Sequence, residues 1–169
     1  DAQIPGSAQG RTVPATIYVP VGAPAPHPVV VISPGFQMAR TQYASYAQHL
    51  ASWGFVAIDC DYADTGLFAD HQQLADDVSS VIDYALAQPD LAIDPAKVAT
   101  AGHSLGGDIS TLAAAGVRER TPAQGGQIER VVTLGVANAY DLHRRLVPHL
   151  REIAQCRLER AGRTASPET

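Results

Sequence analysis

The residue in this chain best placed to do chemistry is Ser104. It stands in Gly-His-Ser-Leu-Gly, inside the stretch KVATAGHSLGGDIS (97–110), between an apolar β-branched run and a run of helix formers. In a strand-turn-helix setting this pattern has a mechanism. The serine sits in a tight turn that projects its Oγ from the sheet edge. Gly102 and Gly106, lacking Cβ atoms, let strand and helix pass closely around it. The helix start then aims free N–H groups at the reaction centre, and the N–H of Leu105 is placed to donate to an oxyanion. The same residues also suit a plainer arrangement, in which two glycines allow close packing and Ser104 caps a helix.

An oxyanion hole needs a second donor, expected in the turn after the first buried strand. VVVISPGFQ (29–37) supplies such a turn, with Gly35 for backbone freedom and Phe36 to offer its N–H. The Phe36 ring either lines an apolar acyl pocket or packs as a core aromatic. With Phe36, Trp53 and Tyr62 suggest an apolar substrate cleft.

A nucleophilic serine also needs a general base and an orienting carboxylate. In chain order after Ser104 come Asp141, the candidate acid, then His149 as candidate base and His143 as its alternative. All three fall within nine residues, on one segment with helical spacing, where they also read as an ordinary solvated face. His103 is expected to pack beside the serine, His27 falls in a Pro-rich connector and His49 on a helix. His71, opening a helix after DCDYADTGLFAD, is a remoter candidate base. Asp59, Asp61 and Asp64 have no histidines at ligand spacing and read as loop and turn residues, so no metal is expected.

These positions are set by strands alternating with helices. RTVPATIYVP (11–20) alternates apolar and polar residues, ends at Pro20, and predicts an edge or hairpin strand. VVVIS (29–33), FVAIDC (55–60) and KVATAG (97–102) are short apolar runs of the kind that form buried strands, and RVVTLGV (130–136) predicts a fourth strand. Helices are predicted over 40–52, with Gly54 as a stop, over 70–87 with Leu74, Val78, Val81, Ile82 and Leu86 on one face, and over 104–116. The alternation predicts an α/β fold with a mostly parallel sheet. Residues 140–160 place Leu142, Leu146, Leu150, Ile153 and Leu158 near one helical face, with Pro148 to start or kink it.

Length and composition set the outer limits. The 169 residues fit one domain, with 46% hydrophobic and 17% charged residues. A net charge of −5 gives no footprint for general nucleic-acid binding. No run approaches the roughly 18 apolar residues of a membrane span. Six of the 12 basic residues fall in 144–169, so a basic tail follows an acidic body. Cys60, ending an apolar run, is expected as a buried small side chain rather than half of a bridge to Cys156. A first residue of Asp1 fits a processed chain, secreted or periplasmic, and fits a cytoplasmic one trimmed at its start equally well.

ISPGFQ, then YAQHLASWGFVAID, then IDPAKVATAGHSLGG, in this order and spacing, resemble the α/β-hydrolases that include cutinase-like polyester hydrolases and dienelactone-hydrolase-like and chlorophyllase-like esterases. The resemblance covers roughly residues 10–138. It implies a three-layer αβα fold, C-terminally shortened, with a family-like core over 1–139 and a basic helical tail over 140–169. It implies a serine ester hydrolase with Ser104 as nucleophile and the Phe36 and Leu105 N–H groups as oxyanion donors, acting without cofactor on small or polymeric hydrophobic esters. The family carries its acid and histidine after two further strands, and no β-branched run follows residue 136. Either an unrelated tail replaces those strands, or 140–160 is a helix closing a small core, with self-association across an exposed sheet edge. The alternative function is a catalytically silent relative that keeps the pocket for binding.

Overall fold

The computed structural model describes residues 1–63, 69–117 and 127–136. The chain divides into two units, Asp1–Ala137, which holds every described element, and Asn138–Thr169, which lies outside the described residues. The tail helix expected over 140–160 falls in the second unit.

Six strands form one mixed sheet: β1 (Ala2–Pro5), β2 (Thr12–Tyr18), β3 (His27–Ser33), β4 (Val56–Cys60), β5 (Ile93–Ser104) and β6 (Ile128–Val136). Their spatial order is β1-β2-β4-β3-β5-β6. β1, β2 and β4 pair antiparallel, while β4, β3, β5 and β6 run parallel. All five residues of β4 are buried, as are all of β3 except Pro28, which is why both read as unbroken apolar runs.

Of the two sequence readings of β2, the hairpin strand holds, since it pairs antiparallel with β1, and the edge strand does not. β2 lies between β1 and β4, and the edge is β1, whose short segment AQIP carries no β-branched pair to announce it. Pro14 is tolerated within β2, opposite Gln3. β5 extends further than KVATAG at both ends, and a one-turn 3₁₀ segment (Arg40–Tyr43) precedes α1 (Ala44–Ser52). Gly54 adopts φ +92°, the left-handed stop expected of it.

On one face of the sheet, Tyr43 and Ala47 pack over Val30, Ile32 and Ala57. α2 (His71–Leu86) buries Leu74, Val78, Val81 and Ile82 as its periodicity predicts. Asp70 caps α2, accepting from the Gln72 and Gln73 amides at 2.9 and 3.3 Å. α2 also packs against α3 (Leu105–Val117), the helix that leaves β5. Asp77, buried in α2, ties the N-terminal segment down: it accepts from Arg11 Nε at 3.0 Å and from the Ser7 N–H at 2.9 Å. Cys60 is a buried free thiol, pushed up to about 12 chiefly by desolvation. No helix among the described residues is long and apolar enough to cross a membrane.

Candidate active site

Parallel pairing brings the carboxyl ends of β3 and β5 side by side, with Ser33 opposite Gly102. Ser104 is the last residue of β5 and Leu105 the first of α3, so the chain reverses from strand to helix at the serine itself. That reversal forces Ser104 to φ +52°, a left-handed conformation that costs a non-glycine residue about 1–3 kcal/mol and persists only where its surroundings impose it.

The two glycines impose it. A Cβ on Gly102 would lie 2.0 Å from the Gly106 carbonyl oxygen, and one on Gly106 would lie 2.1 Å from the Ser33 carbonyl oxygen. The elbow therefore packs backbone on backbone against itself and against the end of β3. As the first residue of α3, Leu105 offers an N–H with no carbonyl of the preceding turn to receive it.

The turn after β3 lies directly against this elbow. A Cβ on Gly35 would sit 2.9 Å from His103 Nδ1. The turn is closed by the Met38 N–H donating to the Gly35 carbonyl at 3.1 Å, with Gln37 at φ +56°. Of three non-glycine residues with positive φ among those described, Gln37 and Ser104 both belong to this corner. Phe36, inside the turn, is 39% exposed, so its ring is available at the edge rather than absorbed in the core.

His103 takes the position beside the serine that the sequence predicts. Its Nδ1 lies 2.9 Å from the Tyr43 hydroxyl. Tyr62, expected in the cleft, is instead buried under the turn, where its hydroxyl donates to the Pro34 carbonyl at 2.9 Å. Trp53 is not brought to this edge. It ends α1 just before β4 begins, at the opposite end of the parallel strands from Ser104, 74% exposed and edge-on to His49. Asp141, His143 and His149 lie outside the described residues. Among the described residues no histidine hydrogen-bonds Ser104, and no group of acidic, histidine or cysteine side chains could hold a metal ion.

Two buried carboxylates near this corner were not singled out by the sequence reading in this form. Asp108, one turn into α3, is fully buried with neither oxygen hydrogen-bonded, and desolvation pushes it up to about 6, against the lowering effect of His71. Asp59 lies in β4, inside the strand predicted over 55–60 rather than in the loop after it, with both oxygens likewise unpaired. Desolvation pushes it up to about 7, against the pull of Arg40. Arg40 itself ion-pairs with Asp61.

Residues 6–127 match the family model described as PET hydrolase-like. The chain belongs to the PET hydrolase-like family. Its fold is that of the α/β-hydrolases: esterase 2 of Thermogutta terrifontis, in a form phosphorylated by paraoxon, superposes with TM-score 0.62 at 17% identity over 79% of this chain. A bacterial heroin esterase superposes at 0.63 with 21% identity over 70%, and a hypothetical protein from Pseudomonas aeruginosa at 0.64 with 21% identity over 78%. The match spans 56% of the Thermogutta chain, 38% of the heroin esterase and 40% of the Pseudomonas protein. Comparison with curated protein sequences gives no significant match.

Proposed function

We propose that this PET hydrolase-like chain is a serine ester hydrolase. Ser104 Oγ attacks the ester carbonyl while its proton passes to a base. The tetrahedral oxyanion is held by the Phe36 and Leu105 N–H groups. The C–O bond to the alcohol then breaks, the alcohol leaving with the proton, and water hydrolyses the acyl-Ser104. One observation carries the reading: Ser104 is strained into a left-handed elbow whose glycines press it against the Pro34–Phe36 turn.

On chain order alone, Asp141 is the acid and His149 the base, with His143 as the alternative. The substrates are hydrophobic esters, polyesters among them. The family's description and the exposed Phe36 ring support this class.

The test is hydrolysis of p-nitrophenyl butyrate by the wild type and by Ser104→Ala. A wild-type rate orders of magnitude above the variant's supports the reading, and equal rates overturn it. The second reading, a silent relative that binds esters without turning them over, draws on the lack of a histidine against Ser104 among the described residues. It predicts that the wild type binds p-nitrophenyl butyrate but hydrolyses it no faster than Ser104→Ala does.

A further inference from the structure

An oxyanion hole works only if its donors are fixed before the charge develops, because donors that must reorient lose the advantage they have over water. Here one donor begins a helix and is held by it, whereas the other, Phe36, belongs to a short turn outside any strand or helix. The peptide that precedes it, joining Pro34 to Gly35, is therefore the natural place to look for a brace.

That peptide is held at both ends. Its carbonyl accepts from the Tyr62 hydroxyl at 2.9 Å, and its N–H donates to the Tyr43 hydroxyl oxygen at 3.1 Å. In a trans peptide these two groups point in opposite directions, so the two phenols grip one plane from opposite sides. Both tyrosines are buried. Desolvation holds the Tyr62 phenol well above its ordinary value, so it keeps the proton it donates.

The brace also reaches the nucleophile. Tyr43 Oη accepts from Gly35, and its one proton goes either to Met38 Sδ at 3.1 Å or to His103 Nδ1 at 2.9 Å, according to the histidine tautomer. His103 immediately precedes Ser104. One hydroxyl thus connects the turn carrying the first oxyanion donor to the elbow carrying the serine and the second.

We infer that Tyr43 and Tyr62 are positioning residues that clamp the Pro34–Gly35 peptide and so fix the oxyanion turn relative to Ser104. This rests on the esterase reading for its catalytic consequence, but the clamp itself is a property of the backbone. The effect of the two tyrosines falls on the transition state, where the oxyanion contact strengthens, more than on ester binding.

Two measurements test it on the full chain. The first is hydrogen exchange at the Gly35 amide. In the wild type this amide, although outside β3, should be protected like the β3 amides. In Tyr43→Phe it should exchange at least tenfold faster, with β4 amides unchanged. The second is steady-state kinetics on p-nitrophenyl butyrate. Tyr43→Phe and Tyr62→Phe should each lower kcat about tenfold with KM within twofold.

A wild-type Gly35 amide exchanging at the rate of an open loop overturns the clamp, whether or not either variant folds. Unchanged kcat in both folded variants overturns its catalytic role. If the wild type hydrolyses no more ester than Ser104→Ala, the esterase reading fails instead, and the exchange result still decides the clamp.

Discussion

Two backbone positions, Gly106 and Ser104, decide whether Ser104 projects as a nucleophile, and each leads to a measurement. A methyl group on Gly106 would collide with the backbone of Ser33, which cannot swing away as a side chain can. Gly106→Ala should destabilise the protein by about 3 kcal/mol and drive β3 and α3 apart, read as a fall in thermal midpoint with loss of turnover. Ser104 carries strain that glycine would not feel, so Ser104→Gly should be about 1 kcal/mol more stable than Ser104→Ala although both lack the nucleophile. Equal midpoints for the two would show that the elbow is relaxed. The serine, its glycines and Phe36 were legible because their signal is local, a few residues around a turn. Tyr43 and Tyr62 were not. In sequence Tyr43 reads as one more apolar position on a helix and Tyr62 as a cleft aromatic, and nothing nearby shows hydroxyls reaching Gly35 and Pro34.

At the scale of elements, an ion pair with the enclosed Asp77 of α2 helps to tie down the N-terminal segment. Asp77 is almost fully enclosed and takes Arg11 and Ser7 together, and these partners hold its carboxyl below the ordinary range despite the opposing cost of burial. Arg11→Ala leaves that charge buried beside Ser7 alone, so it should cost about 3 kcal/mol, measurable by urea unfolding. Asp70→Ala removes only the cap of α2 and should cost about 1 kcal/mol. β3, β4 and the amphipathic α2 were readable because burial on both faces and a 3.6-residue stripe each leave a pattern in composition, whereas β6, an apolar run of similar look, lies at the edge of the described sheet with Val131, Val132 and Leu134 exposed. β1 was not readable, since four residues with one buried side chain leave none, and missing it left open whether β2 was an edge or a hairpin strand.

For the whole molecule, the buried carboxylates set how stability follows pH. Asp59 and Asp108 have folded values of about 7 and about 6, above the ordinary 3.8. Folding therefore favours their protonated forms, and the stability this contributes is complete below pH 4 and lost as pH rises through 6 to 7. The groups facing them do not reverse this: Arg40 and Asp61 act on Asp59 with opposite signs, and His71 lowers Asp108 without restoring it. Asp77 acts oppositely, contributing above 3.8 and losing its contribution as pH falls through its depressed folded value. The thermal midpoint should peak in mild acid and fall between pH 5 and 8. Asp59→Asn and Asp108→Asn should flatten that fall, raising the midpoint at pH 8 while leaving it nearly unchanged at pH 4. A flat wild-type profile over this range would contradict the assignment.

The proposed function requires Ser104 to be an activated nucleophile facing a formed oxyanion hole. Reaction with a fluorophosphonate tests it most directly, because phosphorus takes the serine oxygen and loses fluoride with no ester turnover required. Intact mass and peptide mapping should show one adduct, on Ser104, forming within minutes at micromolar probe and absent in Ser104→Ala. A wild-type chain that stays unlabelled after hours, or is labelled equally in the variant, would contradict the account.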